Sequence, residues 1–152
     1  MKHLNYVFDT NKIKRYRFPT HINDLVMDRS EATSSEVFIV VLAPGEAPPL
    51  HQHDDTEQIF YVLEGEGRLQ IGQERQAFAV KPGDVVRIPP STLHSIQCVG
   101  GATLTYLAVD CFPAGRPDAE PTWDDHVKTI CRQQGWDYEQ VVKGSENDSI
   151  QS

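Results

Sequence analysis

Residues 45–65, GEAPPLHQHDDTEQIFYVLEG, decide the fold of this chain. They place His51 and His53 just before a run of β-branched and aromatic residues that starts near Gln58. Successive side chains of an extended strand point to opposite faces, so His51 and His53 project to the same face. Two imidazoles on one face form a natural bidentate grip for a metal ion. A third ligand must then arrive from another strand.

A second stretch, residues 83–98, GDVVRIPPSTLHSIQC, supplies a third histidine in a comparable setting. His94 follows Pro89, Pro90 and Ser91 and opens another apolar strand. Short apolar runs bounded by glycine and proline recur along this part of the chain, at 37–42, 58–63, 68–71, 77–80, 85–88, 94–99 and 102–111. Turn signals at intervals of about 8–12 residues predict an all-β sandwich or barrel.

Taken together, the two stretches resemble the paired sequence motifs of the cupin superfamily, in its small single-domain, cupin-2 type. The resemblance implies an all-β fold, an antiparallel double-stranded β-helix or jelly-roll barrel, with a metal ion inside its mouth. It also implies that His51, His53 and His94 are ligands, and that a fourth ligand comes from the Glu or Gln position of the first motif. The implied cofactor is one divalent metal ion per chain, and the donors are compatible with Zn, Ni, Fe or Mn.

The fourth ligand has two candidates, Gln58 and Glu57. The motif leaves six residues between the ligand and its closing glycine, and counting back from Gly65 reaches Gln58. Strand alternation agrees, whereas Glu57 would need a bulge of one residue to reach the same face. We therefore favour Gln58 as the ligand and keep Glu57 as a candidate catalytic base. A neutral glutamine would leave the full charge of the ion in place, which strengthens its Lewis acidity.

The chain departs from the family pattern at two positions. A glycine is usual where Ser91 stands, and an asparagine is usual where Cys98 stands. Because Cys98 shares a strand face with His94, it is a candidate for the pocket wall. The full set of candidate substrate-pocket residues is Phe60, Gln97, Cys98 and Tyr106.

The remaining histidines lack a partner pattern in the sequence. His3 and His21 are expected to be solvated. His126 falls in the predicted C-terminal helix and is expected on its surface.

The chain divides into four predicted parts. Residues 1–35 form an N-terminal extension with short strands, residues 36–112 the cupin barrel, and residues 144–152 a disordered tail. Between them, residues 113–143 form a linker and a C-terminal helix that packs on the barrel. That helix is predicted to begin at the N-cap Thr122 and to end at Gly135. The extension and the helix provide apolar surface for a sheet edge of a second copy, so a homodimer is expected.

Composition excludes several classes of partner. The formal net charge of −8 disfavours nucleic acid and anionic membranes. No apolar run approaches the roughly 20 residues of a membrane span, and no secretory signal precedes the barrel, so a cytoplasmic location is expected. The three cysteines, Cys98, Cys111 and Cys131, are widely spaced and are expected to be reduced.

Three functions remain open from the sequence. The first is an enzyme that uses a divalent metal as a Lewis acid on a small anionic or carbonyl-containing substrate, in a lyase, isomerase or cyclase reaction. The second is a metal-dependent dioxygenase. The third is a non-catalytic module that binds a small molecule or a metal.

Overall fold

The computed structural model describes residues 5–143, and the predicted disordered tail at 144–152 lies outside them. The described part has strands β1 (Lys14–Phe18), β2 (His21–Met27), β3 (Ser35–Leu42), β4 (Glu57–Glu64), β5 (Glu66–Ile71), β6 (Gln76–Val80), β7 (Val85–Ile88), β8 (His94–Val99) and β9 (Leu104–Cys111). Helix α1 (Trp123–Gln134) follows them, and a short 3-10 turn (Arg29–Glu31) precedes β3.

The strands form two antiparallel sheets. One sheet has six strands in the order β1-β2-β3-β9-β4-β7, and the other has three in the order β6-β5-β8. Side chains from both sheets meet in a single hydrophobic core. The two sheets are not closed into a continuous hydrogen-bonded barrel. The all-β jelly-roll prediction is confirmed, and the N-terminal strands β1 and β2 extend the larger sheet.

Alternation along the strands separates an inner from an outer face. In β3, Phe38 and Val40 are buried in the core, while Val37, Ile39 and Val41 keep partial exposure on the outside. The same alternation runs through β9, β4 and β7. The side-chain period of two therefore assigns every residue of these strands either to the core and cavity or to the outer surface.

The turn between β4 and β5 shows why the first motif ends in glycine. Gly65 has a φ of +78°, and a Cβ at this position would collide with the backbone of Thr103 and Leu104. Only glycine tolerates both this left-handed conformation and such a close approach of backbone. The turn fixes where β4 ends and hence the register of the ligand-bearing end of the strand.

Helix α1 begins and ends as the sequence predicts. Thr122 is its N-cap and forms a capping box with Asp125, and Gly135 closes it in the left-handed conformation. Trp123, Val127 and Cys131 lie on one face of the helix and are buried in the core. The helix therefore lies against the sheets and forms part of the wall of the cavity described below. Among residues 5–143, no helix is long and apolar enough to cross a membrane.

Candidate metal centre

An isolated β-bridge joins the two motifs at their histidines. His51 N donates to His94 O over 3.1 Å, and His94 N donates to His51 O over 2.9 Å. The segment that carries His51 and His53 therefore runs alongside β8, and Ser91 N donates to His53 O nearby. These backbone contacts bring His51, His53 and His94 together, with one candidate ligand atom from each lying within 4.8 Å of the others.

Hydrogen bonds to carbonyl groups fix two of the imidazoles. His51 Nδ1 lies 2.6 Å from Pro49 O, and His94 Nδ1 lies 2.9 Å from Thr92 O. A carbonyl oxygen can only accept, so Nδ1 carries the hydrogen in both rings. The Nε2 lone pairs of His51 and His94 are consequently available as metal ligands.

Burial keeps the three imidazoles neutral. Desolvation is the largest cause that lowers the pKa of each, with the neighbouring histidines adding to the effect for His53 and His94. The pKa falls to about 2 for His53 and to about 4 for His94, and it is lowered for His51. A cluster that is neutral at physiological pH needs no proton release before it binds a cation.

Gln58 lies at the same cavity and has an unpaired oxygen. Its Nε2 donates to Asp110 Oδ1 over 2.8 Å, while its buried Oε1 has no hydrogen-bond partner among residues 5–143. A buried polar atom without a partner costs free energy unless a ligand, water or ion satisfies it. The amide oxygen is therefore a candidate fourth donor at the cavity that the three imidazoles line.

A buried chain of polar contacts holds Gln58 in this orientation. Arg29 makes a bidentate ion pair with Glu36 at 2.7 Å and 2.9 Å, and both side chains are almost fully buried. Burial, together with the hydrogen bond and charge of Glu36, raises the pKa of Asp110 well above its ordinary value. Glu36 and Gln58 are both paired with Asp110 across the sheet, and Gln58 Nε2 donates to Asp110 Oδ1, so the four side chains form one buried polar group.

Glu57, the candidate catalytic base, does not lie at the cavity. Its carboxylate is 3.7 Å from Arg87 Nη1, on the outer side of β4, and it is not among the residues that line the cavity. Alternation explains the difference, because Glu57 and Gln58 are adjacent in a regular strand and point to opposite faces.

The histidines open onto a cavity of about 440 Å³. Aromatic and aliphatic side chains form much of its wall, and two of the candidate pocket residues, Phe60 and Tyr106, are among them. Helix α1 contributes Trp123, His126 and Ile130. A pocket of this size and composition suits a small organic molecule.

Two candidate pocket residues do not reach this cavity. Gln97 is exposed on the outer side of β8, where its Nε2 lies 3.3 Å from Gly45 O. Cys98 shares the inner face with His94 as expected, but it lies at the far end of the strand, buried in the core, where its thiol donates to Ala102 O. Three residues of extended strand lie between it and His94, which places it well beyond the ligand cluster.

His126 lines the cavity instead of standing on the helix surface as expected. Its Nδ1 lies 3.1 Å from the Glu120 carboxylate, and its ring centroid is 6.0 Å from that of His53. The hydrogen bond to His126 is the largest cause that lowers the pKa of Glu120 to about 2. A sequence signal existed, because Trp123, His126 and Ile130 follow the helical spacing of three and four residues on one face.

His21 is also buried and not solvated. It stacks on Phe18 with ring centroids 4.7 Å apart, and it lines the cavity together with Asn23. Burial is the largest cause that lowers its pKa to about 3. The correction arises because β2 extends the six-stranded sheet beyond the two motifs, which the motif pattern alone does not reveal.

The cavity holds further polar atoms without partners. Asn23 Oδ1 and Trp123 Nε1 are buried and make no hydrogen bond within the described chain. Both residues line the cavity. The cavity wall thus contains residues with a buried acceptor and a buried donor that have no partner among residues 5–143.

The donor set fits a divalent transition metal. Three neutral imidazoles and an amide oxygen suit zinc, nickel, iron, manganese or copper. The unpaired Gln58 oxygen and the two free Nε2 lone pairs are the observations of this structure that agree with such an ion. His51, His53, His94 and Gln58 are accordingly the residues that would hold it.

Comparison with known families assigns the fold to a class. Residues 38–110 match the family model described as Cupin domain (Cupin_2). This part of the chain is therefore a cupin domain of the cupin-2 type, and both motifs with all three clustered histidines fall inside it.

Curated relatives share this domain but differ in what they do. An uncharacterized protein of Methanocaldococcus jannaschii is 36% identical over 80 residues, which is 53% of this chain and 62% of that protein. The oxalate-binding protein of Thermotoga maritima is 35% identical over 68 residues, 45% of this chain and 54% of that one. Quercetin 2,3-dioxygenase of Bacillus subtilis is 31% identical over 93 residues, 60% of this chain and 27% of the enzyme. The chain thus spans less than two thirds of each.

Solved structures agree on the fold. A predicted oxalate decarboxylase of Thermotoga maritima superposes with a TM-score of 0.60 at 23% identity, over 70% of this chain and 99% of that one. The polyketide cyclase RemF of Streptomyces resistomycificus gives 0.59 at 24% identity, over 78% and 85%. At these identities the likeness concerns the architecture alone.

Proposed function

We propose that this protein holds one divalent metal ion through His51, His53, His94 and Gln58 and acts as a Lewis-acid enzyme on a small oxygen-bearing substrate. The observation that carries the proposal is the buried, unpaired Gln58 Oε1 at the same cavity as three neutral imidazoles. Bound there, a divalent ion would supply Lewis acidity and polarise a substrate oxygen.

The chain's own residues have distinct parts in this proposal. Gln58 adds no negative charge, so the site favours an anionic substrate or one with a developing oxyanion. Phe60 and Trp123 hold the carbon skeleton and exclude water. His126, oriented by Glu120, is placed to hold a substrate oxygen or to move a proton. The reaction class is that of a lyase, isomerase or cyclase.

Metal content of matched variants tests the ligand set. We expect about one ion per chain in the wild type by elemental analysis, and its loss in His51→Ala. Gln58→Leu removes only the amide and is expected to weaken binding by roughly 10- to 100-fold. His126→Ala and Glu57→Gln are the controls, a cavity histidine and a neighbouring carboxylate, and both are expected to keep the metal. Full metal content in His51→Ala would refute the site.

Proton exchange tests the Lewis-acid chemistry. We expect the metal-loaded protein to accelerate exchange of hydrogens next to the carbonyl of 2-oxo acids or unsaturated uronates in deuterated water, followed by nuclear magnetic resonance. Metal-free protein and His51→Ala serve as controls. A loaded protein that neither exchanges nor converts any such compound contradicts this chemistry, while the metal site itself stays in place.

A metal-dependent dioxygenase is the alternative enzyme. The similarity to quercetin 2,3-dioxygenase supports it, as does a donor set that accepts iron. Iron or another redox metal in the purified protein, together with oxygen uptake on addition of a flavonol, would favour this reading. A zinc or nickel protein that consumes no oxygen would exclude it.

A non-catalytic binding module is the third reading. The similarity to the oxalate-binding protein supports it, and the cavity offers the same donors to a bound dicarboxylate. Calorimetric titration with oxalate, in the presence and absence of metal, separates this reading from the other two when it is combined with the turnover assays above.

A further inference from the structure

The wall of the cavity is acidic and carries no lysine or arginine within residues 5–143. The buried guanidinium of Arg29 is not a lining residue, and its charge is paired with Glu36. A bound divalent ion would therefore be the main source of positive charge in this cavity. The acidic residues of the wall are Asp54, Asp55, Asp110 and Glu120.

This distribution of charge limits the number of anionic groups that a bound molecule can carry. A carboxylate at the ion is stabilised by the charge of the metal. A second carboxylate further along the cavity would lose water without gaining a cationic partner. It would also be repelled by acids such as Asp54 and Glu120. The cavity therefore favours a molecule with one oxygen-bearing head at the metal and an uncharged body.

Five aromatic side chains line the same cavity. Two pairs of rings are in contact, Phe60 with Tyr106 at a centroid distance of 4.6 Å and Phe38 with Trp123 at 4.8 Å. Trp136 is the fifth ring. Aromatic side chains bind a further ring through offset stacking and edge-to-face contacts. An aromatic body is thus the best match to this part of the wall.

The aromatic part of the wall begins next to the proposed ligands. Gln58 and Phe60 lie on the same face of β4, two residues and about 7 Å apart. Phe38 and Phe60 are both paired with Ala108, one from each side, so the two phenyl rings flank a small residue. A head held at the metal consequently places the body of the molecule along this row.

Helix α1 continues the wall beyond the histidines. The ring centroid of His126 is 6.0 Å from that of His53, and Ile130 lies one turn further, about 6 Å along the helix axis. The cavity of about 440 Å³ holds about 15 non-hydrogen atoms at roughly 30 Å³ each. A head of a few atoms leaves most of this volume to the body.

We infer that the substrate has a single oxygen-bearing head, bound at the metal, and an uncharged aromatic body held by Phe38, Phe60 and Trp123. The inference rests on the proposed function, since the metal ion is what holds the head. It goes further by stating what the rest of the molecule is. Helix α1 is then the element that determines specificity, and it lies outside the matched residues 38–110.

Three probes with the same head test the inference on the zinc-loaded, full-length protein. They are 2-oxo-4-phenylbutanoate, 2-oxooctanoate and 2-oxoglutarate, in which carbon 4 carries a phenyl group, a butyl chain or a carboxylate. Both tryptophans of the chain, Trp123 and Trp136, line the cavity, so quenching of their fluorescence measures binding. We expect the phenyl probe to bind at least about tenfold more tightly than 2-oxoglutarate, with 2-oxooctanoate between them.

A cation placed on the wall is expected to change this preference. Ile130→Lys adds a positive charge at a partly exposed lining position, and it should raise the affinity for 2-oxoglutarate relative to the phenyl probe by about tenfold. Val85→Lys is the matched control, because Val85 is 66% exposed on the outer face of β7. It is expected to keep the wild-type preference. Circular dichroism checks the fold of each variant, and the wild-type comparison needs no variant.

Elemental analysis of each preparation separates the two possible failures. A protein that takes up no zinc refutes the proposed function and the inference together. A zinc-loaded protein that binds 2-oxoglutarate or 2-oxooctanoate as tightly as the phenyl probe overturns the inference alone, and so does one that binds none of the three. The proposed ligand set stands in both of those cases.

Discussion

Gln58 Nε2 donates to Asp110 Oδ1 over 2.8 Å, and this contact occupies the nitrogen of the amide. With its nitrogen engaged, Gln58 presents its oxygen as the free atom. The contact joins β4 to β9 at a directly paired position of the sheet. The orientation of the proposed ligand is therefore set by a neighbouring strand as well as by its own rotamer.

Asp110→Asn and Asp110→Leu are expected to differ in metal affinity. An asparagine reproduces a protonated carboxyl, because it can donate to Glu36 and accept from Gln58. We expect its dissociation constant for zinc, measured by competition with a chelator, to stay within about threefold of the wild type. Asp110→Leu cannot make either contact and is expected to weaken binding by about 10- to 100-fold. An equal loss of zinc affinity in both variants would mean that the ionised carboxylate is required.

His126→Gln is expected to separate metal binding from turnover. If His126 moves a proton at the substrate, its loss lowers the rate of the proton-exchange assay by about 10²- to 10⁴-fold. Metal content should not change, because His126 is outside the proposed ligand set. Glu120→Gln keeps a hydrogen-bonding partner for Nδ1 but removes the charge, and a smaller loss of rate is expected. A variant His126→Gln with full exchange activity would assign the proton transfer elsewhere.

The metal-free protein is expected to lose stability on mild acidification. The pKa values of His21, His51, His53 and His94 are lowered in the folded state, chiefly by burial. Below about pH 6.5 these histidines bind protons in the unfolded chain but stay neutral in the folded chain, so acid favours unfolding. Each group contributes up to about 1.4 kcal/mol per pH unit down to its own folded pKa. The raised pKa of Asp110 has the opposite effect on the free energy of unfolding, because this carboxyl binds a proton more readily in the folded chain. It is one group against the four histidines.

Denaturant titrations at pH 7, 6 and 5 in the presence of a chelator measure this effect. His21→Asn removes one buried imidazole outside the proposed ligand set, so a shallower dependence on pH is expected. A free energy of unfolding that stays constant from pH 7 to pH 5 would contradict the prediction.

Ser91→Gly is expected to change the free energy of unfolding by less than about 1 kcal/mol. Ser91 has a φ of 59°, a left-handed conformation that costs a side chain roughly 1 kcal/mol. Glycine relieves this strain, but it makes the unfolded chain freer and loses the Oγ contact of 2.9 Å to Asp54. Ser91→Val keeps the strain and adds a β-branch, and it is expected to destabilise by about 2 kcal/mol. Thermal and chemical unfolding of the two variants decide whether the backbone or the hydroxyl matters more.

The sequence predicts those features that depend on local periodicity. The strand pattern, the capping of helix α1 by Thr122 and its end at Gly135 all follow from short-range rules, and the structure confirms them. The clustering of His51, His53 and His94 is also foreseen, because two turn-bounded strands carry the histidines in a recognisable order. The left-handed Ser91 explains why the family pattern favours glycine there.

Features that depend on long-range packing are not visible in the same way. His21 reaches the cavity because β2 joins the large sheet, and His126 reaches it because α1 forms part of the cavity wall. The pKa of Asp110 is raised through its burial beside Glu36, a residue of another strand. These contacts join residues that are far apart in the sequence, so the two motifs alone do not place either histidine at the cavity.

Strand β9 links the cavity to the outer face of the six-stranded sheet, because its side chains alternate between the two. Tyr106 and Asp110 face inward, while Leu107 and Val109 face outward. Insertion or deletion of one residue within β9 would exchange the two sets, moving leucine and valine into the cavity and a tyrosine and an acid onto the surface. Evolution can therefore vary each face of this strand by substitution while its length stays fixed. Length variation among descendants of this chain should instead accumulate in turns such as residues 72–75.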